Sequence, residues 1–62
     1  MRVQIPAYTD RWMMGDRYGE VVKTSRRKLF FKNRWEEHEI VHVKLDKSGK
    51  TMKFILDDCV EV

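Results

Sequence analysis

Apolar and polar residues alternate most regularly in the second half of the chain. Every second residue is apolar in two stretches: Val41, Val43 and Leu45 in the first, and Met52, Phe54 and Leu56 in the second. A period of two is typical of a half-buried strand, so the pattern predicts a β-hairpin over residues 39–56. A two-residue Ser48-Gly49 loop, or a four-residue loop over residues 47–50, pairs each apolar residue with another and places Leu45 opposite Met52. A three-residue loop would break this pairing, because a slip of one residue reverses the faces of a strand.

The middle of the chain contains weaker strand patterns. After a Gly15-Asp16 turn, β-favouring residues predict a strand over residues 17–24, and another is expected over residues 28–32. Three consecutive cations would form the turn between these two strands: Arg26, Arg27 and Lys28. Residues 33–37 would then make a turn or an irregular connection. A helix over residues 28–38 remains the main alternative.

Both ends of the chain indicate short strands. Residues 2–5 alternate, and Pro6 would end this strand or confine it to a sheet edge. A long loop is expected over residues 8–14, and Asp57-Asp58-Cys59 suits a tight turn before a short strand over residues 60–62. Five short strands in 62 residues predict one all-β domain, residues 1–62, built as a small antiparallel barrel or an orthogonal sandwich.

The order of these elements resembles that of SH3-like barrels. The segment Gly15-Asp16-Arg17-Tyr18-Gly19-Glu20-Val21 is similar to the G-D-x-x-G-x-V entry into the second strand of KOW-type and related SH3-like domains. The turn over residues 47–50 and the corner over residues 56–59 fit the same layout. The resemblance implies a small five-stranded SH3-like antiparallel barrel. The segment "IPAYTDRWMMGDRYGEVV" also resembles small proteins carried by marine bacterial viruses, which implies no activity.

Positive charge is concentrated in the middle of the chain. Residues 17–35 have a net charge of +6 and residues 36–62 a net charge of −3, within a total of +3. Such an asymmetry can steer a polyanion toward one face, although a solvated surface that keeps a small protein in solution has the same composition.

The segment "RRKLFFKNRW", residues 26–35, combines cations with aromatic rings. Because Phe30 and Phe31 are adjacent, they would point to opposite faces of a strand, and we expect one of them in the core. Exposed rings stack on the bases of single-stranded nucleic acid, while cations bind its phosphates. Nucleic-acid binding is therefore the preferred function. The residues predicted to bind phosphates are Arg26, Arg27, Lys28, Lys32 and Arg34, and those predicted to stack on bases are Phe31 and Trp35.

A protein-contact or assembly module, acting on a partner or by self-association, is the alternative function. The first long loop and its surroundings contain residue types that are frequent at interface centres: Tyr8, Trp12, Met13 and Tyr18. The resemblance implies that the corresponding loop of SH3-like folds helps to line a peptide groove. Exposure of both Trp12 and Met13 would favour this function, whereas a Trp12 that fills the end of a barrel would not.

No pattern in the sequence supports an enzyme, a metal site or a cofactor. His38-Glu39-Ile40-Val41-His42 spells H-E-x-x-H, but zinc binding needs both histidines on one helical face. On the predicted strand they would stand about 13 Å apart, which is too far for one ion. Cys59 lies among acidic residues that would raise its pKa, so we expect a buried structural thiol rather than a nucleophile.

The single cysteine excludes a disulfide within the chain and fits a reducing compartment. No apolar run is longer than three residues, the length of Phe54-Ile55-Leu56, so no membrane span or signal segment is expected. We therefore expect a cytoplasmic protein, in a host cytoplasm if its origin is viral.

Overall fold

The computed structural model describes all 62 residues and consists almost entirely of strands. The elements are β1 (Arg2–Gln4), α1 (Asp10–Met13), β2 (Tyr18–Phe31), β3 (Arg34–Leu45), β4 (Thr51–Ile55), a 3-10 turn (Leu56–Asp58) and β5 (Val60–Glu61). They form one antiparallel five-stranded sheet in the order β4-β3-β2-β1-β5. The all-β prediction is confirmed. The sheet is open, because β4 and β5 at its two ends do not pair with each other.

The main hydrophobic cluster lies on one side of this sheet, and Ile40 is buried on the other side. Six buried apolar residues form the cluster: Val3, Ile5, Val41, Val43, Leu45 and Phe54. Met52 and Leu56 are partly buried and pack against this cluster. The period-two pattern of the second half thus identified the inward residues of β3 and β4, while Val3 of β1 and Ile5 just after it complete the cluster.

The register predicted for the β3–β4 hairpin is wrong by two residues. Val43 pairs with Met52, and the backbone N–H of Leu45 donates to the carbonyl of Lys50 at 2.8 Å, which leaves a four-residue loop over residues 46–49. The loop begins one residue earlier than predicted, and the backbone N–H groups of Lys47 and Ser48 inside it donate to the Asp16 carboxylate, a distant contact that holds the turn in this form. A slip of two residues conserves the faces, so the inward residues are unchanged.

The turn predicted at Arg26, Arg27 and Lys28 is also wrong. These residues lie inside β2, which is one continuous strand of 14 residues. The chain reverses at Lys32-Asn33, where both residues have positive φ angles of 53° and 65°. Two left-handed residues in a two-residue loop are typical of the type I′ hairpin turn, which matches the twist of the strands it joins. The alternative helix over residues 28–38 is excluded, and residues 34–37 belong to β3.

The β2–β3 hairpin extends beyond the rest of the sheet. Pairing with β4 stops at Ile40 and pairing with β1 stops at Glu20, so residues 26–39 form a two-stranded ribbon, here called the arm. The molecule is elongated accordingly, with principal extents of 36 × 22 × 19 Å. A β-bulge at Val22 separates the pairs Val21–Val43 and Lys23–His42. The extra residue shifts the alternation of β2, so that even-numbered residues after it share the side of Val41.

The first loop contains the short helix α1, whereas the sequence predicted no helix there. Thr9 caps this helix through its side-chain oxygen, and Gly15 ends the segment with a φ of 89° that favours glycine. Gly19 lies so close to β3 that a Cβ atom would stand 2.6 Å from the carbonyl oxygen of Lys44. The two glycines of the G-D-x-x-G-x-V segment therefore have distinct backbone roles. No helix of the structure has the length and apolar character needed to span a membrane.

Candidate nucleic-acid interface

The arm has two faces, and the predicted site residues are divided between them. Side chains directly opposite each other on paired strands share a face. The first face, called the Trp35 face, consists of the pairs Arg26–Glu39, Lys28–Glu37 and Phe30–Trp35. The second, called the Phe31 face, consists of the pairs Arg27–His38, Leu29–Glu36 and Phe31–Arg34. The cations that are consecutive in sequence do not form one surface.

Acidic residues of β3 neutralise part of the predicted phosphate-binding set. Arg26 forms an ion pair of 3.3 Å with Glu37, and Arg34 forms one of 2.6 Å with Glu36. The hydrogen bond to Arg34 is the main cause that lowers the pKa of Glu36. The other three residues of the set make no ion pair: Arg27, Lys28 and Lys32.

Three aromatic rings are exposed at the tip of the arm. Phe30 is 59% exposed and Trp35 67%, and their ring centroids lie 5.3 Å apart. Phe31 is exposed on the other face, with the Lys32 ammonium 5.6 Å from its ring centroid. The expectation that Phe30 or Phe31 enters the core is wrong, because the arm carries both beyond the part of the sheet that covers the core.

A cationic surface that the sequence did not reveal lies on the outer side of the sheet, opposite the core. Lys23 of β2, His42 of β3 and Lys53 of β4 pair in one row across three strands. Arg27 lies farther along the same side, and neither it nor the two lysines make an ion pair. We call Lys23, Arg27, His42 and Lys53 the outer cationic row. The row is recognisable only from the β2–β3 and β3–β4 registers, because its members are spread over thirty-one positions of the sequence.

His42 is the centre of this row. Ser25 Oγ lies 3.4 Å from His42 Nε2. Burial is the first cause that lowers the pKa of His42, and the charges of the three surrounding cations add to that effect. Burial itself says nothing of a ligand, but the contribution of the three cations reflects a local positive potential, which favours an anionic ligand.

A groove of about 340 Å³ borders the same side of the arm. Its lining includes the apolar residues Leu29, Phe31 and Ile55 and the acidic residues Asp57 and Asp58 of the 3-10 turn. The Tyr8 hydroxyl donates a hydrogen bond of 2.8 Å to Asp58, which is the main cause that raises the pKa of Tyr8. Apolar and acidic groups thus limit the outer cationic surface on its β4 side.

The residues of the protein-contact alternative do not all lie on the surface. Tyr8, Met13 and Tyr18 are exposed, with Met13 at 79%. Trp12 instead is partly buried against the core, and the Arg17 guanidinium lies 4.7 Å from its ring centroid. The condition that Trp12 and Met13 both be exposed is not met.

The H-E-x-x-H segment lies on β3, as its strand pattern predicted. His38 and His42 share a side of that strand and stand about 13 Å apart by strand geometry. His38 Nε2 lies 3.2 Å from a carboxylate oxygen of Glu36, and no group of three His, Cys, Asp or Glu residues could hold a metal ion. Cys59 is half-buried, and burial is the main cause that raises the pKa of its thiol.

Comparison of the chain with protein-family models, curated proteins and solved structures gives no match.

Proposed function

We propose that this chain binds single-stranded nucleic acid along the outer side of its sheet and the Phe31 face of its arm. The observation that carries the proposal is the row Lys23–His42–Lys53, in which three strands present basic groups that make no ion pair with a carboxylate. Single-stranded nucleic acid binds surfaces that combine such cations with aromatic rings.

The proposed path runs from the outer cationic row toward the tip of the arm. Lys23 and Phe31 lie on the same side of β2, about 26 Å apart at the rise of an extended strand. Lys23, Lys53 and Arg27 would bind successive phosphates, and the exposed ring of Phe31 would stack on a base. Lys32, in the adjoining turn, adds a cation beside that ring.

Only some of the residues predicted from the sequence to bind nucleic acid lie on the proposed path. Arg27, Phe31 and Arg34 share the proposed path, whereas Arg26, Lys28 and Trp35 lie on the opposite face of the arm. Arg34 contributes less charge than its sequence position indicated, because Glu36 binds it.

We further propose that the open sheet is a variant of the SH3-like barrel. The support is its connectivity: β2, β3 and β4 form a meander, a 3-10 turn follows, and β5 pairs with β1. The arm would then be an extended form of the hairpin between the second and third strands.

A salt series on oligonucleotide binding tests the proposed function. Affinity for a fluorescent single strand should fall with salt, with a log–log slope of about −0.7 for each phosphate contact. The double variant Lys23→Ala with Lys53→Ala should make the slope shallower by about 1.4. Phe31→Ala should weaken binding by about 1–3 kcal/mol with the slope nearly unchanged, because stacking releases no counterions.

The matched control is Lys28→Ala with Lys50→Ala, which removes the same net charge from positions outside the path. If the control changes affinity and slope as much as the outer double variant, the proposed path is wrong. If the unaltered protein does not bind oligonucleotides even at low salt, the protein-contact function becomes the better explanation.

A further inference from the structure

The Trp35 face of the arm remains outside the proposed nucleic-acid path. Its two aromatic rings are among the most exposed apolar groups of the molecule. The groove residues Tyr8, Ile55 and Asp58 lie against the opposite face of the arm. An exposed aromatic surface on a projecting ribbon is typical of a contact with another protein.

The charges on this face are arranged by strand. Its β2 residues are two cations followed by an aromatic ring, and its β3 residues are an aromatic ring followed by two acids: Arg26, Lys28, Phe30, Trp35, Glu37 and Glu39. Lys28 and Glu39 make no ion pair within the chain, although Arg26 and Glu37 pair with each other. The face as a whole is neutral, and its two halves have opposite charge.

Such a face is complementary to itself under one two-fold rotation. If two arms stack face to face about an axis parallel to their strands, β2 of one copy lies over β3 of the other. Lys28 then faces Glu37 of the second copy, and each Phe30–Trp35 pair lies over the same pair in reverse order. A two-fold axis perpendicular to the strands would instead place β2 over β2 and bring like charges together. An isologous interface requires this kind of reciprocal match.

We propose that the Trp35 face binds a second copy of this chain, in a symmetric dimer with parallel arms. The contact uses few residues compared with the 20–30 on each side of a standard interface. It is therefore a weak, concentration-dependent association, in which the aromatic pair supplies most of the affinity and the charged row selects the parallel orientation.

Sedimentation velocity over a concentration series tests this dimer. The unaltered chain should shift from monomer to dimer as its concentration rises. Trp35→Ala should abolish the shift, whereas Phe31→Ala, which removes an exposed ring from the opposite face, should leave it unchanged. A chain that stays monomeric at every concentration, or an equal loss in both variants, would overturn the proposal.

Charge reversal identifies the orientation. Lys28→Glu and Glu37→Lys should each weaken self-association by roughly tenfold or more. Residue 28 of one copy faces residue 37 of the other, so either change alone places two like charges opposite each other. An equimolar mixture of these two variants should form a heterodimer, since an acidic row then faces a basic row. Association that appears only when the two variants are mixed cannot result from a change in the folding of either variant alone.

The control mixture is Arg27→Glu with Glu36→Lys, which makes the same changes of charge on the Phe31 face. This mixture should associate no more than the unaltered chain does. If the Lys28→Glu and Glu37→Lys mixture stays monomeric, or if the control mixture associates equally, the Trp35 face is not the dimer interface. Thermal melts of each variant establish that the arm and sheet are folded.

Discussion

The Asp16 carboxylate accepts a hydrogen bond of 3.3 Å from the backbone N–H of Ser48, thirty-two positions away in the sequence. A second bond of 3.1 Å comes from the backbone N–H of Lys47. The Asp16 residue is only 3% exposed. It therefore fixes the first loop to the β3–β4 turn and satisfies two backbone donors of that turn.

Replacement of Asp16 should destabilise the whole sheet. Asp16→Ala leaves the two donors without a partner, which costs about 1–3 kcal/mol and should lower the melting temperature. Asp10→Asn, a change at an exposed carboxylate of the same loop, is the control and should have little effect. Equal melting temperatures for Asp16→Ala and the unaltered chain would contradict the structural role of this contact.

Acid should weaken the same contact. Hydrogen bonding by the Ser48 side chain, followed by the backbone bonds, lowers the pKa of Asp16 below its ordinary value of 3.8. A carboxyl group with a depressed pKa in the folded state stabilises the fold at higher pH, and this contribution is lost as the pH falls below about 4. The melting temperature of the unaltered chain should therefore fall more steeply with acid than that of Asp16→Asn. Parallel pH profiles of the two proteins would contradict this expectation.

Two core substitutions test the identity of the inward residues. Val43 and Phe54 belong to the core cluster, so Val43→Ala and Phe54→Ala should both destabilise the protein, the latter by about 3–5 kcal/mol. Lys44→Ala, on the outer side of β3, should be nearly neutral. Urea unfolding measures the free energy of unfolding of all three variants. A larger decrease for Lys44→Ala than for Val43→Ala would mean that Lys44, and not Val43, lies on the core side of β3.

Metal removal should leave the fold intact. Because His38 and His42 are held about 13 Å apart on one strand, they cannot share an ion. Dialysis against a chelator should leave the melting temperature unchanged, and zinc addition should not raise it. A chelator-induced loss of structure would show that residues 38–42 adopt a conformation other than β3.

Nucleic-acid affinity should rise in mild acid through His42. Its pKa lies below the ordinary histidine value because of burial and the cations that face it from β2 and β4. As the pH falls through that pKa, His42 gains a positive charge beside the proposed phosphate path. The affinity of the unaltered chain should increase at constant ionic strength once the pH falls below the ordinary histidine value of about 6.5, and His42→Gln should remove much of this increase. If the affinity of His42→Gln depends on pH in the same way as that of the unaltered chain, a group other than His42 is responsible for the increase.

The sequence predicted local patterns better than distant contacts. Val41, Val43 and Leu45 were identified as inward because alternation depends only on neighbours along one strand. The register of their hairpin was wrong because Asp16, far away in the sequence, binds the turn. A turn after residue 32 was expected, but it was drawn too long, over residues 33–37, and a second turn was placed wrongly at the cations of residues 26–28. Asn33 was the local signal for a tight turn, because asparagine tolerates the left-handed conformation found there.

The candidate site was only partly predictable for the same reason. A run of cations along one strand alternates between two faces, and the acids opposite it belong to another strand. The pairing of Arg26 with Glu37 and the row formed by Lys23, His42 and Lys53 depend on registers across the sheet. No property of residues 26–35 alone contains that information.

The Lys32-Asn33 turn makes the arm adjustable in length. Because this turn closes directly on the pair Phe31–Arg34, removing one residue from each strand, such as Leu29 with Glu36, would leave the rest of the ladder in register. The tip would retreat by about 3.3 Å, and its side chains would exchange faces. Removing two from each strand would restore the faces and shorten the six-pair arm by about a third. Arm length can thus be changed with or without an exchange of the faces, with no change to the residues that hold the sheet together.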